Sequence, residues 1–231
     1  TNIYMVNAIG DYCYTYSLDG SKNLHLEYSN NLGMTARGVW TDGTFVYVAH
    51  STDGGIRSYY DDAGSLSYIN NVNTGGDATN IWKQGNFIYL ADGSSGIKTI
   101  AESTGSLSLA DSDDPGGNAR DVWGDGTYIY VANFDGGVQS YSIDVSGNLT
   151  RIDSHRPDAS SFAYGVWGDG TYIYVANNST GIHSYSVDAG NLTHIDSHNP
   201  GGAAKSVWGD GTYIYVAGDD GGIHSYRVST P

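Results

Sequence analysis

Apolar and polar residues alternate along this chain in short runs. In Thr127–Asn133, which reads Thr-Tyr-Ile-Tyr-Val-Ala-Asn, Tyr128 and Tyr130 alternate with Ile129 and Val131. A period of two puts successive side chains on opposite faces, so it predicts a strand and not a helix. Such runs are punctuated by Asp-Gly, Gly-Gly and Gly-Asn pairs, residues that accept the backbone angles of tight hairpin turns. Asp125-Gly126, Asp169-Gly170 and Asp210-Gly211 are the clearest cases. One strand ends at a Trp, Asp-Gly leads to a second, a Gly-rich turn such as Asp135-Gly136-Gly137 to a third, and a Gly-Asn turn to a fourth. A longer loop with Pro and Gly then returns to the next Trp.

The same unit recurs. Trp40, Trp82, Trp123, Trp167 and Trp208 stand 42, 41, 44 and 41 residues apart. Val-Trp-Gly-Asp-Gly-Thr-Tyr-Ile-Tyr-Val-Ala occurs unchanged from Val122, Val166 and Val207, and in looser form from Val39 and Ile81. Four short antiparallel strands, A to D, per repeat predict an all-β fold, a β-propeller of four-stranded antiparallel blades. One blade cannot bury both faces, and stacking blades around an axis does. The tryptophans are expected to pack between blades, at least mostly buried, at the ends of the inner strands. The chain reads as a single propeller domain over 1–231, with repeats beginning near 1, 36, 78, 119, 163 and 204.

Strands B and C appear six times, but A and D only five. The first unit lacks A and the last lacks D. Six blades with an incomplete seam are favoured, because Ile3–Asn7 is as regular as any other strand B. The alternative is five blades, closed by Leu24–Tyr28 as the outer strand of the last, with Ile3–Leu18 left as a spare hairpin. Either closure exposes strand edges, and an open edge recruits partners.

The segments Asp-Gly-Thr-Tyr-Ile-Tyr-Val-Ala-Asn and Gly-Ile-His-Ser-Tyr-Ser-Val-Asp resemble the YVTN and LVIVD repeats of bacterial and archaeal surface-protein propellers. The core Tyr-Val-Ala-Asn stands at Tyr130–Asn133 and Tyr174–Asn177. The resemblance implies a cell-surface or extracellular setting and no particular reaction. Lactonase-like propellers carry similar repeats.

Composition narrows the partners. Ten Lys and Arg face 25 Asp and Glu, a net charge of −15. Nucleic acid and membrane insertion are not expected, because the first needs clustered cations and the second a run of about 18 apolar residues. No signal-peptide pattern opens the sequence, so a secreted protein would be read here in mature form. A lone cysteine, Cys13, stands where later repeats carry Ile56, Ile97, Val138, Ile182 and Ile223, and is expected to be a buried hydrophobe.

Repeats also make differences visible. Three residues before each Trp stand Arg37, Thr79, Arg120, Tyr164 and Lys205, expected to ring the mouth of the central channel. Arg37, Arg120, Tyr164 and Lys205 are the candidate binding residues, with an anion or acidic sugar as the ligand. Asp153-Ser154-His155 and Asp196-Ser197-His198 place Asp, Ser and His together, but neighbours on a strand point to opposite faces and cannot converge as a triad. A turn-stabilising role is expected for them, and a partly exposed polar role for His183 and His224. Asp111–Asp114 lacks the spacing of a calcium loop. No catalytic residue, metal ligand or cofactor is assigned. Asn148, Asn178 and Asn191 head Asn-x-Ser/Thr sequons and are candidate glycosylation sites.

The expected function is therefore a non-enzymatic extracellular or cell-surface binding and structural module. Its partners would be copies of itself or cell-surface proteins and glycans, and self-assembly is one use of the open seam. A glycan-binding lectin and a propeller-type hydrolase or lactonase are the alternatives.

Overall fold

A computed structural model of the chain describes residues 2–51, 54–199, 201–219 and 221–228. They form six antiparallel sheets. Blade 1 holds β1 (Ile3–Asn7), β2 (Tyr12–Leu18) and β3 (Leu24–Asn31). Blade 2 holds β4 (Ala36–Thr41), β5 (Phe45–His50), β6 (Gly55–Asp62) and β7 (Ser65–Val72). Blade 3 runs through β8 (Asn80–Gln84), β9 (Phe87–Ala91), β10 (Ile97–Ser103) and β11 (Ser106–Asp113). Blade 4 comprises β12 (Asp121–Gly124), β13 (Tyr128–Ala132), β14 (Val138–Ile143) and β15 (Leu149–His155). Blade 5 comprises β16 (Gly165–Gly168), β17 (Tyr172–Ala176), β18 (Ile182–Asp188) and β19 (Asn191–His198). Blade 6 holds β20 (Ala204–Gly209), β21 (Tyr213–Gly218) and β22 (Gly222–Arg227). The six-blade form is the one observed: among the described residues blade 1 has no inner strand and blade 6 no outer one, and Ile3–Leu18 is part of a blade.

The turn chemistry follows the sequence. Asp125 Oδ1 accepts from the N–H groups of Thr127 and Tyr128, both at 2.7 Å, and its Oδ2 from the Tyr130 hydroxyl at 2.9 Å. The glycine beside it, Gly126, takes a φ of +101°, which a side chain would strain. Asp169 and Asp210 repeat the arrangement.

Five hydrophobic clusters hold the blades together, each drawn from two neighbours. Between blades 4 and 5, Tyr130 and Val138 meet Ile173, Tyr185 and Leu192. Cys13 is fully buried in the cluster between blades 1 and 2, among Val46, Val48 and Tyr59, as its place in the repeat predicts. No cluster among the described residues joins blade 6 to blade 1. Ile223, at the place of the fully buried Ile56, is 76% exposed, and Met5, at the place of the buried Val48, is 47% exposed.

The tryptophans pack between blades, and Trp40, Trp82, Trp123 and Trp167 are mostly buried there, as expected. Trp82, Trp123 and Trp167 lie over the next blade's inner strand and line one opening of the channel. Trp82, Trp123, Trp167 and Trp208 follow one another at centroid separations of 5.9, 6.3 and 6.4 Å. Gly168 leaves room for this, since a Cβ there would stand 2.6 Å from Trp123. Trp208 has no following blade to lie on and is 58% exposed.

A second set of links crosses the blades through polar side chains. The carboxylates of Asp111 and Asp153 accept from the N–H groups of Leu149 and Leu192, at 2.7 and 2.8 Å, in the next blade's outer strand. Asn30 and Asn70 do the same for Leu66 and Leu107. Thr15 and Ser140 donate to the carbonyls of Gly64 and Gly190, which precede those same strands. Asp153 of the first Asp-Ser-His copy therefore stabilises a blade junction. Each of these donors sits at the bulge where strand C pairs with strand D.

Candidate functional site

The candidate site is one end of the central channel, where the loops entering strand A converge. A cavity of about 330 Å³ opens there, lined by Val6, Ala8, Ala36, Arg37, Thr79, Arg120 and Tyr164. Equivalent repeat positions lie around one axis, so residues distant in sequence meet. Arg37, Thr79, Arg120 and Tyr164 come together as expected, while Lys205 stands outside this lining, with its Nζ 3.9 Å from the centre of the Tyr164 ring.

The three cations are not equivalent. Arg37 pairs with Asp77 at 3.6 Å, and Lys205 with Asp219 at 3.3 Å. Lys205 also donates to Asn178 Oδ1 at 3.2 Å. Arg120 has no carboxylate partner among the described residues, and its Nε is buried without a hydrogen bond. Its guanidinium lies 5.3 Å from the Phe134 ring centre and 5.9 Å from that of Tyr164. Cations over aromatic faces gain from the ring quadrupole without losing their charge to an acid.

Phe134 stacks on Phe162 at 4.8 Å, and Arg156 lies over Phe162 at 5.2 Å. Arg156, Phe162, Phe134, Arg120, Tyr164 and Lys205 thus form a continuous run of cations and rings that reaches the mouth at Arg120 and Tyr164. Sequence reasoning missed the two phenylalanines. The signal was the 44-residue interval before Trp167, longer than its neighbours because of the loop that carries Phe162.

Next in sequence to Thr79 and Arg120, Asn80 and Asp121 meet across blades 3 and 4. Asn80 Nδ2 donates to Asp121 Oδ1, which also accepts from Val122 N–H at 2.9 Å, while Oδ2 accepts from Val166 N–H at 2.9 Å. One carboxylate therefore ties three blades. Burial pushes its pKa up to about 6, against the lowering effect of these hydrogen bonds. The opposite mouth is a wider opening of about 600 Å³ lined by Trp82, Trp123, Trp167 and Lys83. Lys83 is neutralised there by Asp42 at 3.5 Å and Glu102 at 3.3 Å.

The other sequence candidates lie elsewhere. Asn148 and Asn191 are exposed in the turns entering β15 and β19, where their amides bond Asp144 Oδ2 and the Asp188 carbonyl. Asn178 stands at the channel mouth with a φ of +48°. His183 is not a partly exposed polar residue. It is buried, with Nδ1 3.1 Å from His194 Nε2 and Nε2 3.1 Å from Thr180, because β18 is covered by its neighbours. Burial and the facing His194 hold its pKa below the usual histidine value. His224, in the uncovered last blade, is half-buried. No group of three or more metal-ligating side chains converges among the described residues.

The LVIVD repeat model matches residues 75–99, 116–146 and 201–224. The chain is thus a six-bladed β-propeller that is similar to LVIVD repeats over those three segments. No curated protein matches it. Among solved structures it is similar to two Bacteroides proteins whose 6-phosphogluconolactonase names are attributions. The B. fragilis protein is 18% identical with a TM-score of 0.85, over 98% of this chain and 77% of the other. The B. uniformis protein is 18% identical with a TM-score of 0.79, over 96% and 76%. A Lactobacillus plantarum protein has a TM-score of 0.79 at 17% identity, over 96% and 75%. At such identities the likeness is one of fold.

Proposed function

We propose that this propeller is a non-enzymatic binding module of the cell surface that takes a small acidic sugar at the Arg120 mouth of its channel. The observation that carries the reading is Arg120 itself: a guanidinium in a cavity, without an acid, in a chain of net charge −15. A carboxylate or phosphate supplies the partner that such a group lacks, and Arg binds either through two parallel N–H groups. Phe134 and Tyr164 offer the faces against which a sugar ring packs. Binding is favoured over catalysis because both oxygens of Asp121, the buried carboxylate next to Arg120, are already engaged in blade contacts.

Isothermal titration with glucuronate and glucose 6-phosphate, against glucose, tests the reading. The acidic sugars bind and glucose does not, and Arg120→Gln weakens binding about tenfold or more, as expected for a hydrogen bond to a charged group. Equal binding of glucose, or an unaffected Arg120→Gln variant, would refute it.

The lactonase-type reading has its own support: the names of the two Bacteroides neighbours and the raised pKa of Asp121, poised for proton transfer near neutrality. It requires Asp121 to release a hydrogen-bond partner and activate water. Hydrolysis of a δ-lactone of a sugar phosphate that disappears in Asp121→Asn, with the fold intact, would favour it over the binding module.

A further inference from the structure

Blade 3 breaks the repeat at one buried position. Asn133 and Asn177 follow strand B of blades 4 and 5, and Asp92 stands at their place in blade 3. The turn that follows is the same. Asp92 N–H donates to the Gly96 carbonyl at 2.8 Å, and Asn133 N–H to that of Gly137 at 2.7 Å. The side chains face the same loop. The Asn133 amide donates to the Gly116 carbonyl at 2.6 Å, and a Cβ on Gly117 would stand 2.8 Å from its nitrogen. In blade 3 a Cβ on Gly76 would overlap the Asp92 carboxylate, which thus takes the amide's place against the loop of Thr74 to Asp77. An ionised carboxylate has no hydrogen to give such a loop.

Asp92 is fully buried, yet neither of its oxygens has a hydrogen-bond partner among the described residues. Asp77 lies beside it, since a Cβ on Gly93 would stand 3.1 Å from Asp77 Cβ. Asp77 Oδ2 faces Arg37 at 3.6 Å, but Oδ1 is buried and unpartnered, as is the Thr74 hydroxyl oxygen. The Lys98 ammonium donates to the Ser95 carbonyl and makes no ion pair with Asp92. Burial raises the Asp92 pKa against the lowering pull of Thr74 and Lys98, and the Asp77 charge raises it further. A buried charge is costly unless it is paired or bound to a metal. One proton would answer one of the three unpartnered carboxylate oxygens, whereas a divalent cation answers all three.

We propose that Asp92 and Asp77, with the Thr74 hydroxyl, hold one Ca²⁺ between the loop entering blade 3 and the turn after its second strand. Oxygen donors suit a hard cation, and the burial of Asp92 favours Ca²⁺ over Mg²⁺, which dehydrates reluctantly. The Asp77 side chain is 44% exposed and gives the ion its way in. These residues lie away from the incomplete blades, and Arg120 takes no part, so the proposal stands or falls apart from the sugar reading.

Calorimetric titration of the EDTA-treated chain with Ca²⁺, together with thermal unfolding with and without the ion, tests it. One saturable site and a rise in melting temperature with Ca²⁺ are expected. Asp92→Asn supplies the amide that blades 4 and 5 already carry, so the variant folds. It loses the site, and its melting temperature no longer responds to Ca²⁺. Asp77→Asn weakens binding by about tenfold, because affinity follows the charge of the ligands. No saturable binding at millimolar Ca²⁺, or an equal response in the parent and Asp92→Asn, would overturn the proposal. A parent protein whose stability follows pH but not Ca²⁺ would also overturn it, since a proton would then neutralise Asp92.

Discussion

Replacing Asp153 by Ala removes one acceptor and strands one donor. The Leu192 N–H, 2.8 Å from Asp153 Oδ2, belongs to a residue only 6% exposed, so water reaches it poorly once the carboxylate is gone. A hydrogen bond to a charged group contributes about 1.5–3 kcal/mol, and an unsatisfied buried donor costs a similar amount. Asp153 is half-exposed, which places the expected loss near the lower end, about 1.5–2 kcal/mol. The repeat supplies its own control. Asp196 occupies the same position and makes the same local bond to Ser197, but no described N–H from a following blade reaches it. Asp196→Ala should therefore stay within about 0.5 kcal/mol of the parent protein. Asp153→Asn should also be mild, because Asn30 and Asn70 do the same work at other junctions. Urea unfolding, with midpoints compared at constant slope, reads all three. Equal losses for Asp153→Ala and Asp196→Ala would show that the cross-blade bond carries no weight and refute the reasoning.

Other consequences concern titration, reactivity and packing. Asp121 has a folded-state pKa raised from 3.8 to about 6, so its contribution favours folding at low pH and is lost as pH rises through that interval. The stability difference between the parent and Asp121→Asn should change between pH 4 and 6 and be flat above 7; a constant difference would contradict the assignment. Burial pushes the Cys13 thiol up to about 12, so a thiol reagent at neutral pH should label it only after unfolding, and rapid labelling of the native protein would place it elsewhere. Trp123 lies between Trp82 and Trp167, whereas Trp208 is bare on one side. Trp123→Ala should cost on the order of 3 kcal/mol and Trp208→Ala clearly less, measured by the same unfolding assay.

The fold was legible because each repeat states it again. The Trp interval fixes the blade, Asp-Gly fixes the first hairpin, and a hydrophobe at the place of Cys13 marks the core face. The six-blade count followed from the regularity of Ile3–Asn7. The blade junctions were not legible. Asp153 reads as a turn residue in sequence, and only the approach of the next blade's Leu192 gives it a second donor. The exposure of Trp208 was misjudged for a related reason: its cover would come from the inner strand of a following blade, and blade 1 has none among the described residues. His183 was misplaced because its burial depends on β19 and the loop above it. At the channel mouth the repeat comparison brought Arg37, Thr79, Arg120 and Tyr164 together correctly, since equivalent positions share a height on the axis. It could not tell which cation keeps a free charge. That depends on where Asp77 and Asp219 reach, and on Phe134 and Phe162 in loops that differ between repeats.

The claim at the centre of this account is that Arg120 receives an acid at the channel mouth. A crystal structure of the protein with glucose 6-phosphate tests it most directly. The account predicts the phosphate against the Arg120 guanidinium within the cavity bounded by Arg37 and Tyr164, with the sugar ring against Phe134 or Tyr164. A phosphate bound only at the Trp-lined mouth beside Lys83, or an Arg120 still without an anion at saturating ligand, would contradict it.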